Sequence, residues 1–185
     1  MFVRGKLFTH VELTVVGEFQ IGNALAAIAV AENAGIAPDA VKKALKAYTG
    51  VARRFEFRKH FNGAEIRDDY AHHPDEIRAT LCAASKMGFK RVLVVYQPHT
   101  FTRTHDLFDD FVKAFKECDE VVFADIYAAR EKNLSGVTSA ALADACENGK
   151  YVGDFNAISE YMKKKLQNGD LLIIMGAGDI INLEI

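Results

Sequence analysis

The sequence predicts an α/β fold with a mostly parallel sheet covered by helices on both faces. From Ala64 onward, strand-like runs alternate with helical patterns of about 10 to 15 residues, the pattern of βαβ units. One run, Arg91–Tyr96 (Arg-Val-Leu-Val-Val-Tyr), is continuously apolar, as a strand buried on both faces must be. His, Arg, Asp and Gly collect just past the strand ends, where α/β sheets carry their functional residues.

Each element has its own local reason. Lys6 to Val16 alternates loosely and suits a strand or hairpin arm. Gly22 to Ala34 is a helix apolar on every side, which calls for burial in a larger body than the segments around it. Gly35 stops it, and Pro38 opens a second helix that carries Val41 and Leu45 on one face and ends near Gly50. Glu65–Tyr70 is a short strand, and Pro74 starts a helix with Ile77, Leu81 and Ala84 at helical spacing, closed by Gly88. After the Arg91–Tyr96 strand, Leu107, Phe111 and Phe115 form the stripe of one helix. Its acids Asp106, Asp109 and Asp110 come first and Lys113 and Lys116 last, as the helix dipole favours. Glu120–Ile126 is a strand, Ser139–Cys146 a helix and Tyr151–Val152 a brief strand. Ile158, Met162 and Leu166 mark a last helix before the strand Leu171–Met175.

Composition narrows the function. The 185 residues are 50% hydrophobic and 26% charged, as in an ordinary globular protein. Twenty-three basic and 25 acidic side chains give a net charge of −2, which argues against nucleic acid as a partner. Charges break every apolar stretch short of the ~18 residues a membrane span needs, so no membrane partner is expected. The opening Met-Phe-Val-Arg-Gly-Lys has no signal-peptide core. Cys82, Cys118 and Cys146 are far apart and unpaired by motif, which reads as three reduced thiols in a cytoplasmic protein.

The candidate site lies in the loops. Asp68-Asp69-Tyr70-Ala71-His72-His73-Pro74 places two acids and two histidines at a strand end. Three readings stay open there: a polar turn in which Asp69 and a histidine cap the Pro74 helix, a carboxylate for ribose hydroxyls, or a metal site. A metal-dependent phosphoesterase would draw on Asp68, Asp69, His72, His73 and Asp125 as ligands. Gln97-Pro98-His99-Thr100-Phe101-Thr102-Arg103-Thr104 offers cations and hydroxyls at a helix start, which suits a carboxylate or phosphate, or simply a threonine cap. In Asp125-Ile126-Tyr127-Ala128-Ala129-Arg130-Glu131, Arg130 and Glu131 read equally as a solvated pair. The glycines of Gly176-Ala177-Gly178-Asp179 would permit close approach of a ligand. The chain contains no Gly-x-x-x-x-Gly-Lys-[Ser/Thr], and no Gly-x-Gly-x-x-Gly follows its first strand.

Taken together, these loops resemble the Mur ligases of peptidoglycan synthesis, nearest the members that join L-alanine to UDP-N-acetylmuramate. Asn23-Ala24-Leu25-Ala26-Ala27 and Gly50-Val51-Ala52-Arg53-Arg54-Phe55 match as well, in the family's order and along essentially the whole chain. The resemblance implies a C-terminal fragment of the central ATP-binding domain over residues 1–55 and a Rossmann-like, amino-acid-binding C-terminal domain over 56–185. It implies an ATP- and Mg²⁺-dependent ligase working through an acyl phosphate, with ATP, UDP-N-acetylmuramate, L-alanine and the upstream domains of the same protein as partners. The Mg²⁺ ligands would lie mostly outside this chain, which alone would be inactive.

By the same resemblance, Asn23 contacts the adenine, Arg54 the ATP phosphates and Asp69 the ribose. His72, His73, His99, Arg103, Tyr127 and Arg130 line the cleft for the amino acid and the acyl phosphate. Arg54, His72, His99 and Arg103 are the catalytic candidates, and no resident metal site is implied. Phe19-Gln20 stands where most members have His-Asn, and Thr100 where many have Arg. A muropeptide-recycling ligase is the alternative within the family; it typically lacks the Gln-Pro-His-x-x-x-Arg-Thr loop.

Overall fold

The computed structural model describes residues 2, 3 and 5–185 and divides into two compact units, Met1–Val51 and Ala52–Ile185. Met1 and Arg4, within the opening stretch discussed above, lie outside the described residues.

In the first unit, β1 (Phe2–Val3) and β2 (Lys6–Leu7) pair antiparallel, and α1 (Phe19–Asn33) and α2 (Pro38–Ala47) follow. The expected strand over Lys6 to Val16 therefore stops at Leu7, and residues 8–16 run as irregular chain with no ladder partner among the described residues. Pro38 sits at the first turn of α2 and Gly35 takes φ +72°, as their positions predicted. Helix α1 is not buried all round. It buries Gln20, Ala24 and Ile28, while Ile21, Leu25 and Val30 remain 57%, 44% and 70% exposed. One short partner helix can cover only one face of an apolar cylinder.

The second unit starts at Ala52, earlier than the expected division at 55/56, because residues 53–55 are bonded into its sheet region. Tyr70 N donates to the Arg53 carbonyl at 2.6 Å and Phe55 N to the Asp69 carboxylate at 2.9 Å. The strands are β3 (Glu56–Phe61), β4 (Ala64–Asp69), β5 (Arg91–Tyr96), β6 (Glu120–Ala124), β7 (Gly149–Gly153) and β8 (Asp170–Met175). They form one six-stranded sheet in the order β3-β4-β8-β5-β6-β7, parallel except for the β3–β4 hairpin. The helices are α3 (Pro74–Ser85), α4 (Phe101–Asp106), α5 (Phe108–Ala114), α6 (Ser139–Ala145) and α7 (Phe155–Lys165).

The central strands β5 and β8 are buried from Val92 to Tyr96 and from Leu171 to Met175, which is why these stretches read as unbroken apolar runs. On one face Ile158, Met162 and Leu166 of the α7 segment pack on Ile66, Leu93, Val95, Leu172 and Ile174. On the other, the ring of Tyr96 meets Phe111, Phe115 and Phe123, and α3 and α5 cover it. The helix expected around Leu107–Phe115 is split: α4 ends at Leu107, where φ −112° breaks the helix, and α5 is followed by a 3₁₀ turn at Phe115–Glu117. All three cysteines are free, and burial pushes Cys118 up to about 12 and Cys146 up to about 11. No helix among the described residues is long and apolar enough to cross a membrane.

At the amino edge of the sheet, the buried Asp170 accepts from Arg91 Nε at 2.9 Å and from Gln167 N at 2.8 Å. Burial works to raise its pKa, but the bonds from Arg91 and Gln167 outweigh burial and hold it below the ordinary carboxylate value. A depressed carboxylate pKa stabilises the fold above the ordinary range and loses that contribution as pH falls through the depressed value. The urea midpoint of the unaltered chain should therefore drop as pH falls below the ordinary carboxylate range. Asp170→Asn should start lower at neutral pH and show a shallower acid loss, as parallel denaturation curves will reveal.

Candidate functional site

In a parallel sheet all the carboxyl ends share one edge. The loops after β4, β8, β5 and β6 are therefore neighbours there, and they are the four loops singled out from sequence.

The loop after β4 is built on Asp69, only 5% exposed. Its Oδ1 accepts from Ala71 N at 2.7 Å, and its Oδ2 accepts from Phe55 N at 2.9 Å and Thr80 Oγ1 at 3.3 Å. Burial raises its pKa against these bonds. Both oxygens of the expected ribose ligand are thus engaged by the chain itself, and the Pro74 helix is capped instead by His73, whose Nδ1 accepts from Asp75 N at 3.3 Å. Arg53 and Phe55 have φ +59° and +53°, a left-handed kink held from below by Asp69 and from the side by Arg67, which donates to the Phe55 carbonyl at 2.8 Å.

Both arginines of the kink lie over the Tyr70 ring, at 4.7 Å and 5.5 Å, but they take different polar partners. Arg53 reaches the Gly176 carbonyl at 2.8 Å, whereas Arg54 reaches Glu76 at 3.4 Å. Glu76 also accepts from His72 N at 3.1 Å and faces His72 Nδ1 at 3.4 Å. Burial tends to raise the Glu76 pKa, but the His72 backbone N–H, the neighbouring His72 imidazole and the Arg54 guanidinium prevail and hold it below its usual value. Glu76 was not among the residues singled out from sequence. Its place four residues after His72 on a helix start was the available signal.

The loop after β5 crosses to the loops on both sides. The Gln97 side chain, 4% exposed, donates through Nε2 to Asp179 at 2.7 Å and accepts through Oε1 from Ile180 N at 3.0 Å. A Cβ at Gly178 would stand 2.4 Å from Gln97 Oε1 and 2.7 Å from Tyr127 Cγ, and one at Gly176 2.9 Å from the Gln97 carbonyl. These glycines are required by packing between loops, a sufficient reason without the ligand approach first read into them. His99 pairs its backbone bridge with Tyr127 and stacks on that ring at 5.5 Å. Its Nδ1 lies 3.3 Å from Arg103 Nη1, and the His72 ring is 5.9 Å away. Burial, then the Arg103 and His72 charges, lower the His99 pKa.

Thr100 takes φ +67°, unusual for a β-branched residue, and is held there by its N–H to the Tyr127 carbonyl at 2.9 Å and by Thr104 Oγ1 on its own carbonyl at 2.7 Å. Glu131, first read as half of a solvated pair, accepts from Thr102 N at 2.8 Å and fixes the start of α4 to the loop after β6. Arg130 is exposed, with no partner among the described residues.

The metal alternative finds no common centre. Asp68 pairs with Arg58, Asp69 is turned into the kink, His73 caps α3 and Asp125 accepts from Tyr151 at 2.6 Å. Among the described residues no three His, Cys, Asp or Glu side chains gather to hold a metal ion.

In the first unit, described by itself, a hollow of about 390 Å³ has Leu13, Val15, Ala27 and Leu45 as apolar walls and Asn23, Gln20 and Tyr48 as its polar groups. Asn23 Nδ2 donates to Gln20 Oε1 at 3.2 Å, so the Gln20 departure from the family pattern is taken up within the hollow.

Comparison with known proteins shows what these loops belong to. A family model described as Mur ligase, glutamate ligase domain, matches residues 53–178. The chain belongs to the Mur ligase family. A UDP-N-acetylmuramate–L-alanine ligase of Acetivibrio thermocellus is 48% identical over 93% of the chain and 38% of the relative. That of Lachnoclostridium phytofermentans is 44% identical over 99% of the chain and 40% of the relative. The chain thus spans about two fifths of the length of the curated relatives it matches. A crystal structure of UDP-N-acetylmuramate–alanine ligase from Thermotoga maritima superposes with a TM-score of 0.76 at 30% identity, covering 96% of this chain and 39% of that one. A murein peptide ligase from Psychrobacter arcticus, 23% identical with a TM-score of 0.69, shares the fold, covering 94% of this chain and 37% of that one.

In this Mur ligase chain Asp69 acts as a structural clamp. Asp69→Ala leaves the Phe55 and Ala71 N–H groups without their acceptor and should cost about 1–3 kcal/mol of stability. Chemical denaturation measures this, and an unchanged unfolding midpoint would show that the clamp carries no weight.

Proposed function

We propose that this chain is the C-terminal part of a cytoplasmic, ATP-dependent UDP-N-acetylmuramate–L-alanine ligase, with residues 1–51 continuing a central ATP-binding domain. The observation that carries the reading is the convergence of Arg54, His72, His99 and Arg103 on one sheet edge, in a chain 48% identical to such a ligase. The exposed apolar side of α1 supports a continuation of the first unit.

The chemistry asks for cations around an acyl phosphate and an amino-acid carboxylate. Arg54, half exposed and steered by Glu76, fits charge developing on the ATP phosphates. Arg103, with Arg130 free at the next loop, fits the alanine carboxylate. The neighbouring rings of His72, His99 and Tyr127 fit a wall along which amine and acyl phosphate meet, with His73 next in the chain at the start of α3. The amide of Asn23 beside apolar walls fits an adenine edge. ATP, with its Mg²⁺, supplies the phosphoryl group that activates the muramoyl carboxylate. Asp69 reaches a ribose only if the 53–55 kink yields, so its first service is to position Arg54.

The reading predicts that the chain alone releases no phosphate from ATP in the presence of Mg²⁺, UDP-N-acetylmuramate and L-alanine, and that the same chain joined to its upstream domains does so only when both substrates are present. In that complete enzyme Arg103→Ala should lose at least ~2 kcal/mol of transition-state binding, about thirtyfold in kcat/KM. Full kinetics in the variant, or release of phosphate independent of alanine, contradicts the assignment.

A further inference from the structure

Two imidazoles stand side by side at the carboxyl edge of the sheet, and their partners are opposite in kind. His72 Nδ1 lies 2.9 Å from the Tyr70 carbonyl oxygen and 3.4 Å from Glu76 Oε2. Both are acceptors, so Nδ1 must carry the hydrogen, and the neutral ring keeps its lone pair on Nε2. His99 Nδ1 instead faces Arg103 Nη1 at 3.3 Å. A guanidinium only donates, so this Nδ1 must be the acceptor, and the hydrogen sits on Nε2. Neither Nε2 has a partner among the described residues. The His72 side chain is 23% exposed and the rings are 5.9 Å apart, so both Nε2 atoms remain available to a bound molecule.

We infer that His72 is the proton acceptor and His99 the neutral hydrogen-bond donor of the amide-forming step, their tautomers set by Glu76 with the Tyr70 carbonyl and by Arg103. The inference deepens the proposed function and rests on it. The groups facing His72 are Tyr70, Glu76 with its Arg54 partner, and His99. Those facing His99 are Arg103, Tyr127, His72 and the carboxylate of Glu131. Burial, then the Arg103 charge, hold His99 toward its neutral form despite the Glu131 carboxylate.

The step then balances. L-alanine arrives as an ammonium and gives one proton to His72 Nε2, which later passes it to water. The freed nitrogen pair attacks the acyl carbon, forming C–N while the carbonyl π pair moves to oxygen, and His99 Nε2–H donates to that oxyanion. When the oxyanion collapses, the C–O bond to phosphorus breaks, and the departing phosphate takes the second nitrogen proton.

The first test needs no activity. Long-range ¹H–¹⁵N correlation spectra of the ¹⁵N-labelled chain, with ring signals assigned through His72→Gln and His99→Gln, should give neutral His72 protonated at Nδ1 and neutral His99 protonated at Nε2. Triple-resonance assignment of the unaltered chain serves if a variant does not fold. The reverse tautomer at either ring overturns the inference. In the complete enzyme, His72→Gln should lower kcat at saturating alanine by about 10²-fold or more, within the range a positioned proton acceptor supplies, with the alanine KM changed only a few-fold. A loss confined to KM overturns the proton-acceptor role. Glu76→Gln, which weakens the anchor, should lower kcat about tenfold, well short of the ~10²-fold that loss of the acceptor itself brings; unaltered turnover with an unaltered His72 tautomer removes Glu76 as a positioning residue. An unaltered complete enzyme that forms no UDP-N-acetylmuramoyl-alanine overturns the proposed function instead, and the tautomers still decide this inference.

Discussion

The buried side chain of Gln97 is the tie on which the candidate site depends. It stands at the carboxyl end of β5, next to β8 at the centre of the sheet, and spends both ends of its amide on the 179–180 turn, at 2.7 Å and 3.0 Å. Such an amide, 4% exposed, leaves unsatisfied donors and acceptors behind if either side moves away. The tie works only because Gly176 and Gly178 carry no Cβ, which lets the two loops approach to contact with Gln97 and Tyr127.

From that centre the other loops are linked outward by polar bonds of the chain itself. Arg53 carries the tie from Gly176 to the 53–55 kink, and Asp69 carries it from the kink to the start of α3. Glu131 does the same on the other side by pinning α4. Arg54, His72, His99 and Arg103 sit on this frame as its outer layer, each oriented by a neighbour of known hydrogen-bonding character. Preorganisation of this kind is what the proposed acyl transfer through a phosphate would require, since charge develops where fixed donors already point.

The parts most legible in the sequence are those whose physics is local and one-sided. Strand β5 was read with its observed bounds and β8 within one residue, because strands buried on both faces are almost wholly apolar; the residue missed, Asp170, is a buried carboxylate held by Arg91. The four loops were legible because parallel strands must expose their carboxyl ends on one edge. Strand β3 was missed: an antiparallel edge strand with the mixed pattern Glu56-Phe57-Arg58-Lys59-His60-Phe61 has no apolar run to reveal it. Its signal was the Asn62-Gly63 pair, both at positive φ, the preferred two-residue hairpin turn. Glu76 and Glu131 were overlooked for a different reason. A carboxylate's role as acceptor is set by donors brought near through the fold, and sequence spacing discloses little of that.

Native-state amide hydrogen exchange in Gln97→Leu measures most directly whether one buried amide holds the site together. The account predicts that protection at the Ile180 and Leu183 amides falls about tenfold or more, the exchange equivalent of a lost hydrogen bond, while β5 and β8 amides keep theirs. Protection at 180–183 equal to that of the unaltered chain would contradict it, because the loops would then be held by something other than Gln97.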